Sequence, residues 1–148
     1  MRSFLVFIFP SCYNGNRKGG VFVYLINKSV IITENLKQNL AITDQAVVDI
    51  QAEYNGDIHL WNGSRVILRH DLHGTVNASG NSVVEYYATI HNGLFTSGDS
   101  GVQYARPMGP SSYVIGCTVE TAKKNAETHR KLQSGEITPP LHPACKTE

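Results

Sequence analysis

The sequence predicts an all-β fold, a barrel or a sandwich, that ends in one helix. Short runs of β-branched and aromatic residues follow one another along the first part of the chain, each bounded by residues typical of turns. Asn-Gly dipeptides, which favour tight hairpin turns, separate several of these runs. Near the C-terminus the composition changes to Ala, Lys, Glu and Arg. This order favours a meander of strands over a sheet built from alternating strands and helices.

The predicted strands begin with two runs, 21–26 and 30–33, that are rich in Val and Ile. A meander follows, with strands over 46–54, 58–61 and 65–69 and hairpin turns at Asn55-Gly56 and Asn62-Gly63. A further strand is predicted over 83–90. The last pair, 102–106 and 113–119, is predicted to form a hairpin around the turn at 107–112.

The segment 120–132 predicts a helix, because its residues favour helices and Gly135 stands just past its end. Its apolar face is thin, so a loosely docked, solvated helix is an alternative to one packed on the strands. The last residues, 137–148, contain three prolines and predict an extended tail.

Length and charge limit the function classes. The chain has 148 residues, enough for one domain, and a net charge of +1 from 13 basic and 12 acidic residues. This balance gives no electrostatic case for nucleic acid as a partner. No apolar run is long enough for a membrane span. The three cysteines, Cys12, Cys117 and Cys145, are too widely spaced to predict a disulfide framework or a zinc site. No cofactor is predicted.

The N-terminus leaves the localisation open. Residues 4–9 are apolar and follow Met1-Arg2-Ser3, which weakly resembles a signal peptide, but a buried first strand explains them equally well. Three Asn-x-Ser/Thr sequons, at Asn27, Asn62 and Asn77, matter only if the chain is secreted.

The tetrapeptide Gly98-Asp99-Ser100-Gly101 is the most informative motif. A serine between two glycines can occupy a tight bend that exposes its hydroxyl beside backbone N–H groups, as an acyl-transfer nucleophile requires. The alternative is an ordinary turn that joins two strands.

Together with Val114-Ile115-Gly116-Cys117 and with Asp44 at the start of a strand, this motif resembles the trypsin-like (chymotrypsin-fold) serine peptidases, in their bacterial and viral branches. The resemblance covers about residues 43–119. It implies chymotrypsin-like β-barrels with an incomplete N-terminal barrel and a C-terminal helix. The implied domains are a remnant of the N-terminal barrel over 1–40, a C-terminal barrel with its helix over 41–134, and a tail over 135–148.

The resemblance also implies roles for individual residues. Ser100 is the expected nucleophile, the N–H groups of Gly98 and Ser100 form the oxyanion hole, and Asp44 is the orienting acid. The residues expected to bind a polypeptide substrate or peptide ligand are Leu94 and Phe95 near the specificity pocket and Thr118, Val119 and Glu120 along an edge strand.

The catalytic histidine of the family is missing. Its position falls on Leu36, and no histidine precedes His59. A serine hydroxyl is a poor nucleophile without a base, so His91 is considered as an alternative base. The expected function is therefore a serine endopeptidase homologue of doubtful activity. The alternative is an inactive pseudoprotease that serves as a peptide-binding or structural module.

A metal site was considered at His70, Asp71 and His73. Residues three apart on a strand point to opposite faces, so His70 and His73 favour a surface or edge histidine pair. No metal site is predicted from this segment.

Overall fold

The computed structural model describes residues 23–96 and 114–145. These residues form eleven strands, one α-helix and a short 3-10 helix. The strands are β1 (Val23–Ile26), β2 (Val30–Ile32), β3 (Asn39–Ile42), β4 (Val47–Ile50), β5 (Tyr54–Asn55), β6 (Ile58–Leu60), β7 (Arg65–Leu68), β8 (Leu72–His73), β9 (Val76–Ala78), β10 (Val83–Tyr86) and β11 (Leu94–Thr96). The helix α1 is Val119–Ser134, and the 3-10 helix is Pro143–Cys145.

The strands form a parallel β-solenoid of about four turns. Every pair of named strands is parallel, and the strands lie in three sheets with the orders β1-β3-β6-β9-β11, β10-β7-β4-β2 and β5-β8. One coil takes 18 residues, so that Leu40 pairs with Ile58, Ile58 with Val76 and Val76 with Leu94. The predicted chymotrypsin-like β-barrel, and with it the trypsin-like barrel assignment, is therefore wrong.

The interior of the solenoid consists of apolar columns that the 18-residue period creates. Each column places one buried aliphatic or aromatic side chain per coil above the next. The columns are Leu40, Ile58 and Val76; Val48, Val66 and Val84; Ile50, Leu68 and Tyr86; and Tyr54, Leu72 and Ile90. Full burial of such a side chain contributes roughly 1.5–3 kcal/mol. The coil is held together by this stacking and by the parallel hydrogen bonds.

One corner of each coil is made by two successive residues with positive φ. Asp44 and Gln45, Asn62 and Gly63, and Gly80 and Asn81 all have φ between 58° and 72°, and they recur every 18 residues. The Asn62-Gly63 pair therefore has the local conformation of a primed turn, but it connects β6 and β7, which lie in different sheets. The predicted hairpins at Asn55-Gly56 and Asn62-Gly63 are wrong for this reason.

The predicted C-terminal helix is confirmed. The Thr118 side chain caps α1 by accepting a hydrogen bond from the Thr121 N–H at 3.1 Å, and Gly135 ends the helix in the left-handed conformation. The helix buries Asn125, His129 and Leu132, and Leu132 clusters with Val23 and Ala41 of the five-stranded sheet. It is therefore packed on that sheet.

The residues around α1 extend the sheets at both ends of the described coils. The Ile115 N–H donates to the Ile90 carbonyl at 2.8 Å, and the His142 N–H donates to the Leu25 carbonyl at 2.7 Å. Residues of the predicted tail thus pair with β1. The predicted boundary between 40 and 41 falls inside β3.

Within the part of the chain that the structure describes, α1 is not long and apolar enough to cross a lipid bilayer.

Candidate metal centre

Two histidines occupy equivalent positions on successive coils. His73 ends β8, and His91 follows Ile90, which pairs in parallel with Leu72 of the same strand. The 18-residue period therefore places the two imidazole rings one above the other. Their centroids are 4.4 Å apart, and the ring planes differ by 20°.

A carboxylate from the preceding coil accompanies each histidine. Nε2 of His91 donates to Oδ2 of Asp71 at 3.2 Å, and Nε2 of His73 donates to a carboxylate oxygen of Glu53. Each pair joins residues 20 positions apart, so the two contacts repeat the same diagonal across the corner. Two carboxylates and two imidazoles thus lie in one column along the solenoid.

Asp71 is held in its ionised form. The hydrogen bond from His91 and a second one, from the Thr89 N–H to Oδ1 at 3.1 Å, lower the pKa of Asp71 below its ordinary value. Oδ1 is occupied by the backbone, and Oδ2 faces His91. Asp71 therefore presents one anionic oxygen toward the imidazole column.

Asp71, His73 and His91 each offer a ligand atom, and these three atoms lie within 4.8 Å of one another. Zinc binds such atoms at about 2.0–2.2 Å, so tetrahedral ligands lie roughly 3.4 Å apart. The side chains are between 32% and 41% exposed, which allows the small rotations that would bring them around one ion. Two imidazoles and one carboxylate leave a coordination position for water or a ligand.

A second polar cluster lies between α1 and the five-stranded sheet. The Ser79 hydroxyl is 2.9 Å from Nε2 of His129, and Nδ1 of His129 is 3.1 Å from Nδ1 of His59. The order is that of a nucleophile, a base and an orienting group. However, Ser79 is only 2% exposed, and burial lowers the pKa of His129 to about 4, which makes it a weak base. This cluster is a packing contact of the helix, and it is closed to a substrate.

The residues predicted for a peptidase site are not brought together among the described positions. Ser100 and Gly98 lie outside the described residues. Asp44 is exposed at the corner between β3 and β4, with φ 58°. His91 lies at a different corner, beside β8, and pairs with Asp71. An orienting contact between Asp44 and His91 is therefore absent.

The predicted substrate-binding residues belong to two different elements. Leu94 and Phe95 lie in β11 and pair with β9. Thr118 is the N-cap of α1, and Val119 and Glu120 form its first turn, so these three residues are helical or capping instead of forming an extended edge. Thr118 also lines a shallow cavity of about 400 Å³. Its other lining residues are Asn92, Gly116, Cys117 and Thr121.

The sequence interpretation paired the wrong histidines. It considered His70 with His73, whereas the structure pairs His73 with His91 and adds Asp71 from the position two before His73. The signal was the recurrence of the same residue type 18 positions later, together with corner residues at 44, 62 and 80 that repeat at the same interval. A search for an internal period would have placed His73 and His91 together.

Comparison of the chain with known protein families, with curated proteins and with solved structures gave no match. The resemblance to trypsin-like peptidases and the endopeptidase or pseudoprotease function stay predictions that the described residues do not test.

Proposed function

We propose that this chain binds one divalent transition-metal ion of the zinc class at the corner formed by Asp71, His73 and His91. The observation that carries the proposal is the convergence of three ligand atoms from two successive coils to within 4.8 Å. Imidazole nitrogen favours zinc and its neighbours over magnesium and calcium, which prefer oxygen ligands.

Each side chain has a distinct role in the proposed site. Asp71 supplies Oδ2, and the metal replaces the proton that Asp71 and His91 share in their hydrogen bond. Glu53 accepts from Nε2 of His73, which leaves Nδ1 of that ring for the metal. A carboxylate behind a ligating histidine fixes the ring and raises its basicity. Glu53 is thus a positioning residue.

The proposed site has a defined dependence on pH. A metal ion binds neutral imidazole and ionised carboxylate, so protons compete with it. Because two imidazoles must lose a proton to bind, we expect the metal affinity to fall as the pH is lowered from 8 to 6. Loading should release protons, which calorimetry in buffers of different ionisation enthalpy detects.

The test is a titration of the tag-free chain with Zn²⁺ by calorimetry and with Co²⁺ by absorption spectroscopy. We expect a stoichiometry of one ion per chain and, for Co²⁺, the intense visible bands of a tetrahedral or five-coordinate complex. His73→Ala and His91→Ala should each weaken binding by roughly 100-fold, as loss of one ligand from a three-ligand site does. Glu53→Gln should weaken it by about 10–100-fold.

The matched control is His70→Ala, since His70 is exposed, lies next to Asp71 and is not part of the cluster. Its affinity should equal that of the wild type. Weak binding at several equivalents, or equal losses in the His70, His73 and His91 variants, would contradict the proposal. Circular dichroism on each variant confirms that the solenoid is folded.

A further inference from the structure

The C-terminal segment spans the described solenoid from one end to the other. It pairs with Ile90 through Ile115, crosses the five-stranded sheet as α1, and pairs with β1 through residues 140–142. The 16-residue helix is about 24 Å long at 1.5 Å per residue. The five strands that it crosses span about 19 Å at 4.8 Å per step. The length of α1 therefore matches the width of the sheet.

The contact between this segment and the solenoid depends on three buried histidines. His129 of α1 contacts His59 and Ser79 through the two short nitrogen contacts described above. His142 lies 3.0 Å from the Gln38 side-chain oxygen and stacks edge-on against Tyr24 at 5.5 Å. The main apolar anchor of the helix itself is Leu132. Docking thus relies more on neutral imidazoles than on apolar area.

The groups facing these imidazoles carry no compensating negative charge among the described contacts. His59 and His129 face each other, Ser79 and the edge of the Trp61 ring. His142 faces Gln38, Tyr24 and the Ala144 N–H, which donates to its Nδ1.

The charged groups nearby on the segment are engaged elsewhere. Glu127 and Glu136 both pair with Arg130 on the exposed side of α1.

We propose that residues 118–145 form a strap that acid releases from the solenoid, because protonation of His59, His129 and His142 places positive charge in a buried contact without a carboxylate partner. The solenoid coils remain folded when the strap is released. This inference is independent of the metal site.

The electrostatics agree with this geometry. Burial lowers the pKa of His129 and of His142 to about 4, and burial together with the neighbouring His129 lowers the pKa of His59 to about 3. Docked imidazoles are therefore neutral at pH 7. The solenoid interior, by contrast, is stabilised by aliphatic columns that do not titrate.

The test is hydrogen exchange of the wild-type chain, corrected for the intrinsic rate, at pH 7.0, 5.5 and 4.5. We expect the protection of amides in α1 to fall by at least about tenfold per histidine between pH 7.0 and 4.5. Amides of β4 and β7, in the four-stranded sheet, should keep their protection. Trp61, the sole tryptophan of the chain, lies 6.0 Å from His129 and reports the same transition by fluorescence.

A paired variant distinguishes imidazole protonation from general acid unfolding. His129→Gln with His142→Gln should move the midpoint of strap release to lower pH by about one unit or more, while His70→Gln should leave it unchanged. Simultaneous loss of protection in α1 and β7 would overturn the proposal. So would full protection of α1 at pH 4.5. Either wild-type result is decisive even if the double variant does not fold.

Discussion

Asp57 accepts two hydrogen bonds from Thr75, the residue 18 positions further along the chain. Its Oδ1 lies 3.0 Å from both the backbone nitrogen and the hydroxyl oxygen of Thr75. One coil earlier, Oδ1 of Asn39 accepts from the Asp57 N–H at 2.6 Å. At this corner the side chain of one coil therefore satisfies a backbone donor of the next, where the strands of the five-stranded sheet begin.

Asp57→Ala should destabilise the chain by about 1–3 kcal/mol, because it leaves the buried Thr75 hydroxyl and N–H without their acceptor. Urea unfolding followed by Trp61 fluorescence measures the loss. Asp57→Asn is the matched control, since its side-chain oxygen still accepts, and it should cost well under half as much. An equal cost for both variants would show that the charge matters more than the acceptor.

Gly74→Ala should be the most damaging single substitution in the solenoid. A Cβ at Gly74 would lie 1.9 Å from the backbone oxygen of Gly56 on the preceding coil, so the two coils could not stack at this corner. We expect a loss of more than about 3 kcal/mol, or failure to fold.

The control is Gly116→Ala, whose Cβ would meet no atom within 4 Å. Thermal unfolding by circular dichroism compares the two variants with the wild type. A Gly74→Ala chain as stable as Gly116→Ala would contradict the close approach of the coils.

The free energy of unfolding should fall as the pH falls below 7. The pKa of His59, His129 and His142 is lower in the folded chain than the value of about 6.5 in an unfolded chain, so the unfolded chain binds more protons. The stabilisation is fully present above pH 7 and decreases as the pH falls through 6.5 toward the folded values. Each histidine should contribute about 1 kcal/mol between pH 7.5 and 5.5.

Urea titrations at pH 7.5, 6.5 and 5.5 measure this dependence. His129→Gln should reduce its slope, whereas His70→Gln, which replaces an exposed histidine, should leave the slope unchanged. A rise in stability on acidification would have the wrong sign for buried neutral imidazoles.

Local patterns in the sequence predicted several elements correctly. The runs at 21–26, 30–33, 58–61 and 65–69 contain β1, β2, β6 and β7, and the helix at 120–132 lies within α1. The strands β3 and β9 were not predicted. Each is short and contains Asn and Ala, residues that are uncommon in strands. Their strand conformation depends on neighbours one coil away on both sides.

The candidate metal site could not be derived from local patterns. Asp71 and His73 stand close together in the sequence, but His91 joins them only through the pairing of Ile90 with Leu72. The catalytic roles assigned to Asp44 and His91 presupposed a barrel, and in the solenoid these residues occupy different corners.

The sequence by itself determined which segments are strands and which is a helix, and where the chain turns, because these follow from side-chain propensity and from residues that tolerate positive φ. Only the tertiary structure decided which strands are neighbours. Asn62-Gly63 has the same local backbone conformation in a hairpin and in a solenoid corner, and the two folds differ in whether the next strand returns beside the last one or continues into another sheet. That choice depends on whether each apolar side chain stacks on its counterpart 18 residues away, which is a long-range relation.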